Sequence, residues 1–436
     1  MKKNTFIFGL LLITRSLFGQ STYFPPNTSS NWDTLAPQSL GYCQTSIDSL
    51  YNFLDQNNTK AFILLKDGKI VLEKYFGLHT QNTPWQWASA GKTITAFMVG
   101  IAQQESYLSI NDTTSKYLGK GWTSCSTSQE DKISIRHQLT MTSGLDDGVL
   151  DPYCTLDTCL KFKANAGSRW AYHNAPYTLL DSVIENATGQ TLNSYTTTKL
   201  KNQTGMTGSF LSVGYNKIYY STARSMARFG LLILNKGHWN GNALLTDSNF
   251  YSQMISSSQL LNRSYGYLWW LNGKSSFMVP TSQVVFPGFI CPNAPTDMFS
   301  AIGKGGQFLN IVPSQQLVWL RMGDDPSNML VPFTFNNSIW QYINRLNCTT
   351  SINESLDLSN SKVQIYPNPC ASTLVVKSVD LPKKIEIYTL DSRCVKSILT
   401  TKFENSIDIE DLPSACYFIK VHLSTAEVCV SKFIKM

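Results

Sequence analysis

The sequence predicts an α/β protein whose antiparallel sheet is flanked by helices, interrupted by an all-helical insertion and followed by a small C-terminal all-β sandwich. Three observations predict this fold. Strand-like segments occur at both ends of the main body, amphipathic helical segments lie between them, and short β-rich runs follow a polar stretch. The 436 residues are enough for two or three domains and for a sizeable apolar core.

The first elements are predicted from hydrophobic periodicity and turn chemistry. Apolar residues at helical spacing between residues 47 and 54 predict a helix. Residues 61–73 form two apolar runs separated by Asp67-Gly68, a dipeptide that is typical of a tight hairpin turn. These runs therefore predict two paired strands, and the apolar run after Ser89 predicts a helix that begins at that serine.

The later elements follow from the same patterns. Residues 105–250 are predicted to be mainly helical, with clear helices at residues 136–143 and 221–234. Apolar runs predict strands at residues 267–270, 308–312 and 317–321, and a final amphipathic helix at residues 332–346. This order predicts an α/β sandwich with a helical insertion.

The chain is predicted to contain four segments. Residues 1–20 have the composition of a secretory signal peptide, with Lys2 and Lys3 before an apolar run and a predicted cleavage point near Gly19 or Gln20. Because no cysteine follows at once, a lipoprotein anchor is not indicated. The main domain is predicted at residues 21–347, a polar linker at residues 348–361 and the β module at residues 362–436.

Composition excludes several classes of function. The net charge is +7, but the basic residues are scattered, so no nucleic-acid partner is expected. After the signal segment, no run is long and apolar enough to predict an integral membrane span.

The cysteine pattern is compatible with disulfides rather than with a metal. The ten cysteines fall into even sets, six in the main body and four in the tail, and export permits disulfides. No C-x-x-C pair occurs, so we expect no zinc site, and no motif indicates another metal or a cofactor. Cys154 and Cys159 are close enough for a short-loop bridge, but the sequence leaves the pairing open.

Ser89 and Lys92 are the first candidates for catalysis. They are three residues apart in the segment WASAGKT, so on a helix the amine lies beside the hydroxyl and can activate it without a histidine. About two S-x-x-K matches are expected by chance in a chain of this length. A second match does occur, at Ser359 and Lys362. The alternative is that Ser89 is only the N-cap of the following helix.

Two further motifs follow Ser89 in the chain. The first is Y-H-N at residues 172–174, and the second is K-G-G at residues 304–306, directly before a predicted strand. With the flanking segments LTMTSGL, STARSMARFG and YGYLWW, they resemble the serine β-lactamase and penicillin-binding-protein superfamily over about residues 45–345. Within it, the chain is most similar to class C β-lactamase-related hydrolases: esterases, D-amino-acid peptidases and 6-aminohexanoate-dimer hydrolases.

The resemblance implies four catalytic side chains. Ser89 would be the nucleophile that attacks a carbonyl carbon. Lys92 would activate that hydroxyl, after nearby positive charge has lowered the pKa of its amine. Tyr172 would act as general base and acid, and Lys92 and Lys304 would stabilise its phenolate.

The resemblance also implies a set of binding groups. Asn174 would orient the lysine amine and the substrate amide. The backbone N–H groups of Ser89 and Gln307 would form the oxyanion hole. Gly305 and Gly306 have no side chains and would let the substrate lie close to the strand.

The function implied is a secreted serine hydrolase that cleaves an ester or amide bond in a small molecule or peptide through a Ser89 acyl-enzyme. In β-lactamases a threonine follows the lysine of the third motif and helps to hold the β-lactam carboxylate. Gly305 stands there in this chain, so an esterase or amidase is favoured. The alternatives are a penicillin-binding protein, D-amino-acid peptidase or β-lactamase acting on cell-wall peptides or β-lactams, and a non-catalytic surface protein.

The C-terminal module carries a separate resemblance. The segments IYPNP at residues 365–369 and LPSACYFIKV at residues 412–421 resemble the type IX secretion sorting domain of Bacteroidetes. Ala415 departs from that pattern, in which glycine is usual at this position. The resemblance implies the secretion machinery as a partner and a secreted or cell-surface protein. The alternative is a generic carbohydrate- or surface-binding β domain.

Overall fold

A computed structural model describes residues 22–325, 327, 329–348, 362–389, 393–425 and 427–436. The predicted signal peptide and nearly all of the predicted linker lie outside the described residues. The chain divides into two compact units, one ending at Cys348 and one beginning at Thr349.

The strands of the first unit are β1 (Thr59–Lys66), β2 (Lys69–Tyr75), β3 (Trp85–Gln86), β4 (Ser209–Val213), β5 (Asn216–Ser221), β6 (His238–Trp239), β7 (Asn242–Ala243), β8 (Trp270–Leu271), β9 (Ser276–Phe277), β10 (Phe286–Pro287), β11 (Phe299–Gly303), β12 (Gln307–Val312) and β13 (Leu317–Gly323). The main sheet has the order β2-β1-β13-β12-β11-β8, with antiparallel neighbours throughout. Strands from the two ends of the unit therefore pair with each other, as the sequence predicts.

The helices of the first unit are α1 (Gln44–Gln56), α2 (Lys92–Gln104), α3 (Ser115–Leu118), α4 (Thr127–Glu130), α5 (Ile135–Leu139), α6 (Asn174–Thr188), α7 (Leu192–Thr196), α8 (Asn202–Thr204), α9 (Ala223–Leu234), α10 (Ser248–Met254) and α11 (Phe333–Ile343). Short 3₁₀ turns span Pro37–Leu40, Ala88–Gly91, Asp157–Cys159 and Pro313–Gln315, and a π turn spans Thr197–Lys201. The predicted final helix is confirmed. The central region carries the helices α3 to α10, but the β4–β5 ribbon and the β6–β7 hairpin show that the insertion is not all-helical as predicted.

Helices cover both faces of the main sheet. On one face α9 approaches so closely that a Cβ on Gly230 would lie 2.6 Å from Val318 and 2.7 Å from Leu309. On the other face Trp319 packs edge-on against Trp340 of α11, with ring centroids 5.7 Å apart. Adjacent residues of β13 thus contact different helices, as the alternation of side chains along a strand requires.

Helix α2 lies inside the core rather than on the surface. All of its residues from Lys92 to Ala102 are buried. Phe97 packs edge-to-face on Phe229 of α9, with centroids 6.0 Å apart. Because this helix is held on all sides, the backbone at its first turn is fixed by packing.

Two expectations about strands differ from the structure. Residues 267–270 do not form a strand, because Leu268 has a positive φ of 61° and only Trp270–Leu271 pairs with β11. Strand β11, for its part, was not predicted, since its sequence FSAIG carries a single β-branched residue.

The second unit consists of two antiparallel sheets around a common apolar core. Its strands are β14 (Val363–Tyr366), β15 (Thr373–Ser378), β16 (Pro382–Thr389), β17 (Cys394–Leu399), β18 (Glu404–Asp408), β19 (Ala415–Leu423) and β20 (Val428–Lys435). The sheet orders are β14-β15-β18 and β17-β16-β19-β20. Leu374, Ile387, Ile419 and Phe433 lie in one fully buried cluster. The predicted all-β sandwich is confirmed.

Two disulfides close loops of the first unit. Cys43 at the start of α1 is bonded to Cys348 beyond α11, and Cys154 is bonded to Cys159. The Cys154–Cys159 bridge is the short-loop disulfide that the sequence spacing allowed. In the described part of the chain, no helix is long and apolar enough to cross a bilayer.

A buried arginine fixes the turn between β11 and β12. The Arg321 guanidinium donates to the carbonyl oxygens of Gly305 at 2.6 Å, Gly306 at 3.0 Å and Asn57 at 2.6 Å. It also donates to the Thr59 hydroxyl at 3.1 Å. Burial lowers the pKa of this side chain to about 9. The turn that carries the third motif is therefore tied to β1 by one side chain.

We expect Arg321→Met to lower the free energy of unfolding by about 3 kcal/mol or more, because several buried carbonyl oxygens lose their donor. Urea unfolding followed by tryptophan fluorescence measures the change. Arg263→Met, at an exposed position, is the control, and its effect should stay within about 0.5 kcal/mol. Equal unfolding midpoints for the two variants would contradict the role assigned to Arg321.

Candidate active site

Ser89 lies in the 3₁₀ turn that precedes α2. Trp87 holds this turn in place, because its backbone N–H donates to the Tyr219 carbonyl at 2.8 Å. Its indole Nε1 donates to the Ser221 hydroxyl, also at 2.8 Å. The next residue, Ala88, has a φ of 45°, a left-handed conformation that costs a residue with a Cβ about 1–2 kcal/mol. Strain of this kind is common at functional sites.

The Ser89 hydroxyl is directed at Lys92. The Lys92 Nζ donates to the Ser89 Oγ at 3.0 Å. Helix α2 begins at Lys92, its N-cap position is Gly91, and no side-chain cap is formed there. The alternative that Ser89 is merely an N-cap is therefore wrong, and the serine is left to pair with the lysine.

Lys92 is the first residue of α2, and its side chain extends towards α6. The residue is only 4 % exposed. Its Nζ lies 3.9 Å from the ring centroid of Tyr177 and 5.3 Å from that of Tyr172. Burial lowers the pKa of its amine to about 7, although the charge of Asp181 acts in the opposite direction. The sequence-based expectation was that neighbouring cations would lower this pKa. In the structure the main cause is loss of water.

Tyr172 lines the same cavity as Ser89. Its ring stacks on Trp270 with centroids 5.7 Å apart, and the side chain is 8 % exposed. Burial raises the pKa of its phenol, while a hydrogen bond with Ser89 partly opposes that shift. The phenol is therefore protonated at neutral pH, whereas the sequence-based expectation was a stabilised phenolate.

Asn174 and His173 occupy different environments although they are adjacent. Asn174 is the first residue of α6 and lines the same cavity as Ser89. His173 is 2 % exposed, lies outside the cavity lining, and has a pKa lowered to about 4 by burial. The sequence-based view that His173 points away from the site agrees with this placement.

The third motif forms the turn between β11 and β12. Lys304 is exposed at this turn and, with Gly305, lines the cavity. Gly306 and Gln307 do not line it. The Gln307 side chain is fully buried and donates to the Gly323 carbonyl at 2.6 Å. The structure therefore brings Lys304 and Gly305 to the cavity lining, and it holds the Gln307 side chain within the sheet.

The residue of this hairpin that lies against Ser89 is Gly303, which the sequence analysis missed. A Cβ on Gly303 would lie 2.4 Å from the Trp87 carbonyl oxygen and 3.0 Å from the backbone nitrogens of Ser89 and Ala90. Only glycine permits this approach. The hairpin backbone therefore approaches the serine amide closely at Gly303.

The cavity between these elements has a volume of about 420 Å³. Several lining residues were not predicted, because loops and the β4–β5 ribbon deliver them from distant parts of the sequence. Among them, Tyr153 lies beside the Cys154–Cys159 bridge. The residues added by the structure are Gln86, Ala88, Tyr153, Tyr177, Asn216, Ile218, Asp324, Asp325 and Leu330.

A Ser-x-x-Lys pair with a buried lysine at the start of a core helix, facing a strand hairpin across a cavity, is typical of the serine-hydrolase fold of β-lactamases and penicillin-binding proteins. The chain belongs to the Beta-lactamase family, whose model matches residues 55–328. Members of this family are serine hydrolases.

Two curated proteins are similar to parts of the chain. An uncharacterized protein of Alkalihalophilus pseudofirmus is 25% identical over 305 residues, covering 62% of this chain and 84% of that protein. Protein flp of Staphylococcus aureus is 25% identical over 177 residues, covering 36% of this chain and 35% of that protein. The chain therefore spans about a third of the length of flp.

Solved structures share the fold at lower identity. A putative 6-aminohexanoate-dimer hydrolase from Bacillus anthracis has a TM-score of 0.55 at 20% identity and covers 74% of this chain and 89% of its own. A putative β-lactamase from Bacteroides dorei has a TM-score of 0.56 at 17% identity and covers 70% of this chain and 99% of its own. At these identities the likeness establishes the shared fold.

The second unit belongs to a different family. The model of the secretion system C-terminal sorting domain matches residues 364–436, which include all of its strands except the first residue of β14. A sorting domain of this kind indicates export by type IX secretion to the cell surface or beyond it.

We expect Lys92→Met to raise the free energy of unfolding at pH 7 by about 2–4 kcal/mol, because it removes the cost of burying an amine. The unfolded chain holds the Lys92 proton up to about pH 10.5, whereas the folded chain releases it near pH 7. Stability of the native protein should therefore rise with pH between these values.

Urea unfolding at several pH values measures this gain, which should shrink as the pH approaches 10.5. Lys120→Met, at an exposed position, is the control and should show no such pH-dependent gain. A Lys92→Met protein no more stable than the native one at pH 7 would contradict the burial cost.

Proposed function

We propose that this protein is a secreted serine hydrolase that cleaves an ester or amide bond through an acyl-enzyme on Ser89. The observation that carries the proposal is the 3.0 Å contact between the Ser89 hydroxyl and the Lys92 amine. With a pKa of about 7, that amine is unprotonated in a large fraction of molecules at neutral pH and can accept the serine proton.

In the acylation step the Ser89 oxygen forms a bond to the substrate carbonyl carbon, and its proton passes to Lys92. The carbonyl electrons move onto the oxygen, which becomes a tetrahedral oxyanion. When that intermediate collapses, the bond to the leaving group breaks. Tyr172, whose phenol is protonated and which lines the cavity with Ser89, is placed to give the leaving group a proton.

Deacylation uses the same groups in reverse. Water attacks the ester carbonyl of the acyl-enzyme and gives a proton to the Tyr172 oxygen, which lost one in acylation. The Ser89 oxygen then leaves and takes back its proton from the Lys92 ammonium group, so both groups return to their starting states. Asn174, at the first turn of α6, lines the cavity where its amide can orient the lysine amine and the scissile group.

We propose that the oxyanion hole consists of the backbone N–H groups of Ser89 and Lys304. The close approach of Gly303 brings the hairpin backbone against the serine amide, and Lys304 follows directly and lines the cavity. Two backbone donors held by packing stabilise developing charge without reorganisation. The backbone N–H of Gln307, which the resemblance implies, is the alternative second donor, since the sheet bonds of this residue are made by its side-chain amide.

The charges at the cavity mouth favour an ester or amide without a carboxylate over a β-lactam. Lys304 supplies one cationic side chain, but Asp324 and Asp325 line the same opening. Two carboxylates beside one ammonium group disfavour binding of an anion. Gly305 also lacks the hydroxyl with which a threonine would grip a carboxylate.

A second candidate, supported by the cationic side chain of Lys304 in the cavity lining, is a D-amino-acid peptidase, penicillin-binding protein or β-lactamase. An ammonium group in the same cavity as the nucleophile is suited to the carboxylate of a peptide or β-lactam. We also propose that residues 1–20 act as the signal peptide for the first export step.

We expect Ser89→Ala to lower hydrolysis of p-nitrophenyl esters by at least about 10³-fold and to abolish covalent labelling by a fluorophosphonate probe. Parallel assays with nitrocefin, D-Ala-D-Ala peptides and aminohexanoate oligomers separate the candidate substrates. We expect the ester to be hydrolysed faster than nitrocefin. Ser49→Ala, at an exposed position of α1, is the control and should keep native activity.

The enzyme assignment fails if the native protein shows neither turnover nor labelling that depends on Ser89. Turnover confined to D-Ala-D-Ala peptides or nitrocefin would instead select the second candidate.

We expect Gly303→Ala to lower kcat by about 10²–10³-fold, the usual cost of losing one oxyanion-hole donor, because the added methyl group displaces the hairpin from Ser89. Ester hydrolysis and circular dichroism together separate this effect from unfolding. Gly148→Ala is the control, since a Cβ there meets only the Asp146 carboxylate, at 3.2 Å. Native turnover in a folded Gly303→Ala protein would rule out this form of the oxyanion hole.

A further inference from the structure

Helix α6 presents one continuous face to the catalytic lysine. Asn174, Tyr177 and Asp181 are spaced by three and four residues, so they lie along one side of the helix. Asn174 and Tyr177 line the cavity, and the Tyr177 ring lies 3.9 Å from the Lys92 Nζ. Asp181 continues this face one turn deeper, outside the cavity lining.

Asp181 is a buried acid that the proposed reaction does not use. Its side chain is 2 % exposed, and its Oδ1 accepts a hydrogen bond from the Thr95 hydroxyl at 3.3 Å. Thr95 follows Lys92 by one turn on α2, so the residue that holds Asp181 is a direct neighbour of the lysine on that helix. The carboxyl group is thereby fixed at the interface that buries the amine.

We propose that Asp181 is a positioning residue for Lys92, whose buried carboxylate fixes the pH at which the lysine amine can accept the Ser89 proton. The inference rests on the proposed function, because it gives Asp181 a role only through the Ser89–Lys92 pair. A buried carboxylate within the same helix interface stabilises the charged ammonium form, since little water screens the two groups.

The charges around Asp181 determine whether its carboxyl group is ionised and so whether it stabilises the charged form of Lys92. The titratable groups that face it are Lys92 of α2, Lys217 of β5, and Tyr177 and Glu185 of its own helix. Lys217 is itself paired with Glu185 at 2.9 Å. Burial raises the pKa of Asp181 to about 7, so its carboxylate is partly ionised at neutral pH.

Burial lowers the pKa of Lys92, and the ionised Asp181 counteracts part of that shift. Removing the carboxylate therefore lowers the pKa of the amine further. The acid limb of the reaction, below which Lys92 is protonated and inactive as a base, then moves to lower pH.

The test is the rate of fluorophosphonate labelling of the full chain as a function of pH, for the native protein and for Asp181→Asn. This readout needs no knowledge of the natural substrate. The Asn side chain keeps the size of Asp and can still accept the Thr95 hydrogen bond. We expect the acid limb to move to lower pH, so that the ratio of rates at about pH 6 and about pH 8 rises. An unmoved limb overturns the inference.

A control carboxylate lies at the other end of α2. Glu105 follows the last turn of that helix and pairs with Lys199 and with the Tyr195 hydroxyl. Glu105→Gln removes a partly buried acid about 20 Å along the helix axis from Lys92. It should leave the acid limb in place, and an equal shift in this variant would overturn the specific role of Asp181.

A second variant covers the case in which Asp181→Asn does not fold. Thr95→Val removes the donor that helps to keep Asp181 ionised, so it should move the acid limb in the same direction, whereas Thr95→Ser should not. Failure of the proposed function has a different signature, because the native protein would then show no labelling that depends on Ser89.

Discussion

The burial of one amine beside one hydroxyl is the constraint on which the rest of the structure depends. A lysine in water is protonated at neutral pH and cannot take a proton from serine. Packing between α2 and α6 removes the Lys92 amine from water and brings its pKa to about 7, while the Ser89 hydroxyl stays within 3.0 Å. A buried amine lowers the stability of the folded protein, so the rest of the fold has to supply the stability that is lost.

The fold supplies that stability through a core helix and a sheet. Helix α2 is buried along nearly its whole length. Gly230 has no side chain, so α9 can pack closely against the main sheet. The antiparallel order of the main sheet places β11 where Gly303 lies against the serine turn. Arg321 then fixes the turn after β11 from inside the sheet. Lys92 and Gly303 are therefore positioned by a helix and a strand, and Ser89 lies in the short turn that Trp87 binds to β5.

Much of this arrangement is predictable from the sequence, and the limits have physical causes. The β1–β2 hairpin follows from Asp67-Gly68, which adopts positive φ values at both positions, and α9 follows from its hydrophobic periodicity. Ser89, Lys92 and Tyr172 were predicted because their motifs place them near one another in the family that the chain resembles. Gly303 was missed because its importance lies in a backbone approach between segments more than 200 residues apart, which leaves no local pattern.

The central claim concerns the charge of Lys92, and a direct titration tests it. Carbon-13 NMR of the lysine ε-carbons, with Lys92→Met to assign the resonance, reports the pKa of that amine in the native protein. The structure predicts a midpoint near pH 7 for this lysine. A midpoint at the ordinary lysine value of about 10.4 would contradict the account, because the amine would then be protonated whenever Ser89 needs a base.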